Sequence, residues 1–393
     1  MTASTTHYLW VQVHRYVGLA VLAFLALAAA TGCALVFRGD LDRVLNPDLY
    51  TAPSPGQPIA PTELVQRVML AYPDLEVTAA PMQLRPGQSA VMQVEARNGP
   101  PGHDAKDIFV DPATDAILGT REDRPGWDRQ HLMRGIYFLH YTLLAGDFGR
   151  WFMGLIAIAW AVENIVGFYL TLPTSGPFWK RWTPIWKVNF KAKLPRVLLD
   201  LHRASGLWVF VGVLILSLTS VGLNFYSEMV DPLVMALSPP RPSPWDRPPP
   251  PPSGQALSYT AAADAAIGYA RRDGLKLAPA SVTFDKAHDL FGVAFTHSGR
   301  MEYSGLGPVD YYVDDHSGRL VYIDSPYADS GGRKLERSLY PLHSGQVFGL
   351  ATRWLVMLLG VAILEMSVTG LIVWWKKRGP RVAQRKARRL KSA

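Results

Sequence analysis

The chain has 393 residues, of which 49% are hydrophobic and only 18% are charged, with 40 basic and 32 acidic residues. This charged fraction is well below the usual value of about 25%, so a membrane protein is the first class to consider, and disorder of the whole chain is excluded. The single cysteine excludes an intramolecular disulfide framework, a cysteine-rich zinc site and a cysteine-ligated iron–sulfur cluster.

Four apolar segments have the length of about 20 residues that a helix needs to cross a bilayer. They are 17–37, 152–172, 207–225 and 355–375, and their only charged residues are Glu163 and Glu365. The first segment also resembles a signal peptide with a lipoprotein-like motif at Ala30-Thr31-Gly32-Cys33. Its apolar run continues past the cysteine, however, so a retained helix is preferred.

The predicted fold is an α-helical membrane protein with a four-helix transmembrane bundle. Its parts in chain order are the N-terminus and helix 1 (1–37), an outside segment (38–150), helix 2 (151–172), a basic loop (173–201), helix 3 (202–225), a second outside segment (226–349), helix 4 (350–375) and a basic tail (376–393).

The basic residues outside the helices predict the orientation. They are concentrated in the loop 173–201 and the tail 376–393, where Asp200 is the only acidic residue. The positive-inside rule then places both termini in the cytoplasm. The tail is interpreted as a topology determinant that contacts anionic membrane lipids, and no nucleic-acid partner is needed to explain it.

Both outside segments are large enough to form a small α+β domain. Each has a helix-like stretch, at 61–72 and 259–272, followed by strand-like stretches at 90–96, 107–110, 281–284, 292–296, 310–313 and 319–323. The proline-rich stretch 239–252 predicts an extended polyproline II spacer.

The chain repeats itself, which indicates a tandem duplication. His14-Arg15-x-x-Gly18-Leu19 recurs as His202-Arg203-x-x-Gly206-Leu207, with Thr31 and Thr219 at the same distance after the histidines. His140 is followed by Gly146, Arg150, Trp151 and Gly167, and His343 by Gly349, Arg353, Trp354 and Gly370 at identical spacings. An even number of crossings per half makes the halves parallel, with equivalent residues at equal depth.

The repeat therefore predicts two histidine pairs, His14 with His202 at the cytoplasmic end and His140 with His343 at the outer end. Two imidazoles at one depth can bind both faces of a b-type haem, and the absence of Cys-x-x-Cys-His excludes covalent attachment. We therefore expect two b-type haems. Zinc or copper is the competing chemistry, although each pair would then need further ligands.

The sequence supports two interpretations of the neighbouring arginines equally. Arg15, Arg203, Arg150 and Arg353 either pair with haem propionates or extend to the membrane interface. His131 is a reserve ligand near His140. Glu163 and Glu365 are candidates for proton relay, quinol binding or tuning of the inner haem, with neutral packing residues as the alternative.

Several motifs together resemble the PepSY-associated transmembrane family over nearly the whole chain. They are His14-Arg15-x-x-Gly18-Leu19, Thr31-Gly32, Val36-Phe37-Arg38, Asp42-Arg43, Leu139-His140, Leu342-His343 and Val368-Thr369-Gly370. Val110-Asp111-Pro112-x-Thr114 resembles the end of a PepSY domain, so both outside segments are expected to be PepSY-like and periplasmic. The chain departs from the family pattern at Thr219-Ser220, where a Thr-Gly pair is usual.

The resemblance implies a Gram-negative inner membrane, two b-type haems and the reduction of ferric siderophores in the periplasm. The expected activity is transmembrane electron transfer from a cytoplasmic or quinol donor to ferric siderophore, which releases Fe(II). Two alternatives stay open: a non-enzymatic PepSY membrane protein that binds or regulates a partner, and a haem or metal transporter.

Overall fold

The computed structural model describes residues 3–246, 248, 256–301 and 305–392, with side chains described from residue 5 to residue 379 of those ranges. The predicted spacer 239–252 lies partly outside the described residues, at 247 and 249–252. Its described part includes a short 3₁₀ turn, Pro244–Asp246.

The described helices in chain order are α1 (Ala3–Leu35), α2 (Arg38–Leu45), α3 (Pro47–Tyr50), α4 (Pro61–Ala71), α5 (Leu132–Thr142), α6 (Gly146–Thr171), α7 (Phe178–Trp182), α8 (Leu194–Asn224), α9 (Asp231–Leu237), α10 (Tyr259–Arg272), α11 (Gly331–Ser344) and α12 (Leu350–Ser392). The strands are β1 (Leu75–Pro81), β2 (Ala90–Ala96), β3 (Lys106–Val110), β4 (Ile117–Glu122), β5 (Ala278–Asp285), β6 (Leu290–Thr296), β7 (Val309–Asp314) and β8 (Leu320–Asp324).

Four helices of the described chain are long and apolar enough to cross a membrane, which confirms the prediction of a membrane protein. The spans are Thr5–Leu35, Gly146–Thr171, Leu194–Asn224 and Leu350–Gly379. A helix satisfies every backbone group internally, and this is required where no water is present. Cys33 lies inside α1, so the helix continues past the position of the lipoprotein-like motif.

The chain divides into two compact units. The helical unit contains the chain up to Phe37, Ile136–Val230 and the chain from Leu342, and the sheet unit contains Arg38–Gly135 and Asp231–Pro341. The ends of α5 and α11 therefore belong to the helical unit, whereas the predicted outside segments 38–150 and 226–349 include them.

Within the helical unit, α1 and α8 each pack against both α6 and α12. Small residues allow close approach at these contacts. A Cβ added at Gly360 of α12 would lie 2.6 Å from Cys33 Sγ of α1, and one added at Gly212 of α8 would lie 2.7 Å from a methyl carbon of Leu359. A side chain at either position would have to displace its neighbour, so glycine allows the helices to pack at this distance.

The sheet unit contains one antiparallel sheet of eight strands in the order β4-β3-β2-β1-β5-β6-β7-β8. We expected each outside segment to form its own domain. Each does contribute a helix and four strands, but the two halves share one sheet through β1 and β5, where Ala79 pairs with Thr283 and Ala80 with Val282. The pairing covers a strand edge that each half would otherwise leave exposed.

The core of the sheet unit lies between the sheet and the helices α4 and α10. Its fully buried side chains come from both halves and include Leu64, Val65, Val68, Val77, Met92, Ile108, Ala262, Ala266, Val282 and Val293. Because one core is built from both segments, the sheet unit is a single cooperative structure.

Candidate functional site: two histidine pairs in the helical unit

Each of the histidines His140 and His343 lies at the end of a short helix, just before a turn into a long one. His140 precedes the end of α5, and Leu143 and Leu144 then adopt left-handed backbone conformations with φ of 52° and 58°. In the other half, α11 ends at Ser344 and Gly345 has φ of 76°. Each turn places the end of the short helix, which carries the imidazole, beside the neighbouring long helices.

A threonine holds the ring of each of these histidines. Thr31 Oγ1 lies 2.9 Å from His140 Nδ1, and Thr219 Oγ1 lies 3.2 Å from His343 Nδ1. Each hydroxyl already donates its proton to a carbonyl of its own helix, at 2.7 Å for Thr31 and 2.8 Å for Thr219. The hydroxyl must therefore accept from Nδ1–H, which leaves Nε2 with the free lone pair.

Burial keeps these two imidazoles neutral. It lowers the pKa of His140, and together with the neighbouring His140 it lowers the pKa of His343 to about 4. A neutral imidazole with an unprotonated Nε2 is the form that binds a metal. Protonation state and ring orientation thus both favour ligation.

The other two histidines are held at Nδ1 by different partners. His202 Nδ1 lies 3.0 Å from the carbonyl oxygen of Met366 and 3.2 Å from Thr369 Oγ1. His14 Nδ1 lies 2.6 Å from a carboxylate oxygen of Glu163. Each half of the chain therefore uses its own second long helix, α6 or α12, to orient the histidine of its first.

The structure brings the histidines of the two halves together in two pairs. The ring centres of His14 and His202 are 6.3 Å apart, and those of His140 and His343 are 6.1 Å apart. Two imidazoles on one metal atom, with bonds of about 2 Å and about 1.1 Å from nitrogen to ring centre, would have centres about 6 Å apart. The separations of both pairs match this value.

Glycines make room for three of the four rings. A Cβ added at Gly167 would lie 3.3 Å from His14 Cε1, one at Gly370 would lie 3.2 Å from His202 Cε1, and one at Gly32 would lie 3.2 Å from His140 Cε1. Any larger residue would press on the imidazole. In the second half, Ser220 follows Thr219 where Gly32 follows Thr31, and its hydroxyl donates to the carbonyl of Leu216.

A cavity of about 400 Å³ surrounds the pair His14 and His202. Its lining is mostly apolar and comes from the four long helices, and it includes Trp160, Phe210 and Val213. An apolar space between helices of a bundle, with facing imidazoles, suits a flat macrocycle that carries iron at its centre. The residues present therefore fit a b-type haem.

The four arginines fall into two groups. Arg15 and Arg203 line the cavity, and Arg203 Nε is buried without a hydrogen-bond partner among the described residues. Arg150 instead pairs with Glu228 at 2.7 Å, and Arg353 Nε donates to the carbonyl of Val36 at 2.9 Å. These contacts favour a propionate role for the first group and an anchoring role for the second.

The remaining candidates are His131, Glu163 and Glu365, and only Glu163 lies at the cavity. His131 belongs to the sheet unit, where its Nδ1 contacts Asp128 at 2.8 Å. Glu163 lines the cavity and touches His14, whereas Glu365 is not among the lining residues. Among the described residues, no three His, Cys, Asp or Glu side chains form a group that could hold a metal ion.

The sequence did not reveal the partners of Nδ1. Glu163 was singled out as an intramembrane carboxylate, but nothing in its spacing pointed to His14, which lies on a different helix. Thr31 and Thr219 were found through the repeat, yet only the folded structure gives them a role.

These features define a multi-pass membrane protein whose helical unit contains two facing histidine pairs. The chain belongs to the family described as the PepSY-associated TM region, which matches residues 11–377. Membership suggests a membrane protein of the haem-binding oxidoreductase kind. No curated protein matches the chain.

Proposed function

We propose that this protein is a di-haem reductase of the bacterial inner membrane that passes electrons from the cytoplasmic side to ferric siderophore in the periplasm. His14 and His202 would bind one b-type haem, and His140 and His343 would bind the other. The observation that carries the proposal is the double pair of imidazoles, 6.3 and 6.1 Å apart, with every Nδ1 turned to a protein partner.

When bound, each haem would supply a one-electron carrier, and two histidine ligands for each haem would favour electron transfer over the activation of oxygen. The two pairs lie near opposite ends of α1. Thr31, which contacts His140, follows His14 by 17 residues, or about 25 Å of helix. That length approaches the hydrocarbon thickness of a bilayer, about 30 Å.

The repeated contacts support a tandem duplication. Thr31 relates to His140 as Thr219 relates to His343, and the strand order is the same on both sides of the β1–β5 pair. In this proposal the halves are related by a two-fold axis along the membrane normal, so each haem would receive one ligand from each half.

The positive-inside rule supports the orientation. The basic residues of the loop 173–201 and of the tail after residue 375 would lie in the cytoplasm, together with both termini. The sheet unit, whose segments leave the helices at the other end, would then lie in the periplasm, where a ferric siderophore arrives.

The substrate is proposed from iron chemistry. Siderophores hold Fe(III) through hard oxygen donors, and Fe(II) is the softer ion and binds them less tightly. One electron delivered to the chelate therefore reduces Fe(III) to Fe(II) and releases it. The electron would come from a cytoplasmic reductant or a quinol.

The cofactor part is tested by a reduced-minus-oxidised absorption spectrum of the full-length protein purified in detergent. We expect b-type bands for two haems per chain, half of which are lost in His14→Ala and the other half in His343→Ala. His131→Ala serves as the matched control and should keep both. A folded, colourless protein from cells supplied with haem would overturn the proposal. It would favour the alternative of a non-enzymatic PepSY membrane protein that binds or regulates a partner.

The substrate part is tested by anaerobic reoxidation. Ferric siderophore should reoxidise the reduced haems and yield Fe(II), which a ferrous chelator detects. The same siderophore loaded with Ga(III), which accepts no electron, is the control. Haems that stay reduced with the ferric form would remove the siderophore assignment but leave the di-haem assignment intact. Haem that exchanges freely with added apo-acceptor protein would favour a transporter.

A further inference from the structure

We propose that Glu163 lowers the reduction potential of the iron site at His14 and His202 below that of the site at His140 and His343, so that electrons move outward. This inference rests on the proposed function. It concerns a positioning residue, because Glu163 contacts the ligand His14 and not the iron.

The Nδ1 partners of the four histidines are not alike. Three of the histidines have neutral Nδ1 partners at 2.9 to 3.2 Å. These partners are the hydroxyl of Thr31 for one, the hydroxyl of Thr219 for another, and the Met366 carbonyl with Thr369 for the third. The fourth is the carboxylate of Glu163, at 2.6 Å from His14 Nδ1. Only one of the two sites therefore has an acidic group against a ligand among the described residues.

The repeat shows that the two halves differ at equivalent positions. Gly18 of α1 faces Glu163 Oε2, where an added Cβ would lie 3.6 Å away, and Gly206 of α8 faces the sulfur of Met366 at 3.4 Å. Glu163 and Met366 occupy equivalent positions after His140 and His343. The equivalent position thus has a carboxylate in the first half and a thioether in the second.

The carboxylate of Glu163 is poorly compensated. Its side chain is 6% exposed, and neither oxygen has a hydrogen-bond donor with good geometry among the described residues. The adjacent amide of Asn164 is directed to Ser217 Oγ, at 3.1 Å. His14 Nδ1 is close to Glu163 Oε2 but forms no hydrogen bond of good geometry with it, so the charge would act mainly through its proximity.

Other charged groups face the same cavity. Arg15, Arg203 and Lys377 line it, but Arg15 donates to Gln12 at 2.8 Å and Arg203 pairs with Asp200 at 2.8 Å. If propionates bind Arg15 and Arg203, those two positive charges are largely balanced. The carboxylate of Glu163 then remains as the charge nearest to an axial ligand.

A negative charge beside an axial histidine favours the oxidised iron. Oxidised haem iron carries one more positive charge than reduced iron, so a nearby carboxylate stabilises it more in a medium of low dielectric constant. The site at His14 and His202 should therefore be the harder one to reduce.

The experiment is a spectroelectrochemical titration of the full-length haem-loaded protein. The His343→Ala variant, which should keep only the haem at His14 and His202, assigns the midpoints. We expect that site to have the lower midpoint. Glu163→Gln should favour the reduced form of the site at His14 and His202 at least tenfold, which raises its midpoint by about 59 mV for one electron. The midpoint of the other site should stay unchanged.

Glu365→Gln is the matched control, because it removes a second buried carboxylate of the long helices that does not line the cavity. It should shift the assigned midpoint by less than one third as much. A retained haem spectrum shows that each variant is folded. Should Glu163→Gln fail to fold, Met366→Glu places a carboxylate beside His202 and should lower the same midpoint further.

Two results would overturn the inference: a lower midpoint at His140 and His343, or no shift of the assigned midpoint in Glu163→Gln. Both leave the di-haem proposal standing, because both require two haems to be measured. A wild-type protein without haem would instead overturn the proposed function, so the two failures are distinguishable.

Discussion

Thr31 and His140 lie 109 residues apart in the chain, yet the hydroxyl of one is 2.9 Å from Nδ1 of the other. The same relationship joins Thr219 and His343 in the second half. In both cases the hydroxyl fixes the imidazole from the side that a metal does not use. A threonine in a long helix thus decides which nitrogen of a distant histidine is free to bind.

Loss of this hydroxyl should weaken the site at His140 and His343. Thr219→Val keeps the shape of the side chain but leaves His343 Nδ1 without its acceptor, and loss of such a partner typically costs 10- to 100-fold in metal affinity. We expect haem to dissociate from this site at least tenfold faster, measured by transfer to an excess of apo-acceptor protein. The control is Ser220→Ala, whose hydroxyl is used within α8. Equal rates in both variants would contradict the orienting role.

A methyl group at Gly370 should displace the ring of His202. The Cβ of Gly370→Ala would lie 3.2 Å from Cε1, so the imidazole must move, and the site at His14 and His202 should lose most of its haem. Gly379→Ala, on the same helix, has nothing within 4 Å of its Cβ and should keep full occupancy. Haem content per chain distinguishes the two. Full occupancy in Gly370→Ala would show that the close contact does not hold the ring.

The two groups of arginines should differ in their effect on haem retention. Arg203→Gln removes a guanidinium that lines the cavity and whose buried Nε has no hydrogen-bond partner among the described residues. We expect its haem to dissociate about tenfold faster. Arg353→Gln, which removes a contact to the carbonyl of Val36, should leave the rates of both haems within about twofold of wild type. The opposite order would exchange the propionate and anchoring roles.

Asp310 should make the sheet unit less stable as pH rises. It pairs directly with Asp324 across β7 and β8, and burial together with that second carboxylate raises its pKa to about 7. An unfolded aspartate has a pKa of about 3.9, so the folded state binds the extra proton between these values. The resulting stability is complete below about pH 4 and is lost as pH rises through about 7.

The measurement is the apparent melting temperature of the full-length protein between pH 5 and pH 8, followed by circular dichroism. Wild type should lose several degrees, because a pKa raised from about 3.9 to about 7 changes the free energy of unfolding by about 2 to 3 kcal/mol between these pH values. Asp310→Asn should remove most of that slope, and the exposed Asp264→Asn should retain it. An unchanged slope in Asp310→Asn would assign the effect to another group.

The long helices and the histidine pairs could be predicted because their causes are local or repeated. Apolar runs with at most one charged residue mark the spans, and the shared spacing after His140 and His343 marks these two residues as equivalent. The strand β2 and the helix α10 match the predicted ranges 90–96 and 259–272 residue by residue. These elements show the alternation or the helical period that burial on one face produces.

The strands β1 and β4 were missed for the opposite reason. β1 ends in Pro81, and β4 contains Gly119 and two charged residues, so neither has a clear β-strand pattern. Both exist because neighbouring strands offer them hydrogen bonds, and tertiary context overrides propensity in such cases. The contact of Glu163 with His14 likewise could not be predicted from the sequence, since it depends on how two helices pack.

The pairing of β1 with β5 also has a consequence for biosynthesis. The partner of Ala79 lies about 200 residues further along the chain, beyond two membrane crossings, so this is a contact of high sequence separation. During synthesis, the edge of β1 therefore stays unpaired until β5 has been translated. A nascent chain that lacks β5 would expose this edge to other extended peptides, and chaperones would be needed to shield it.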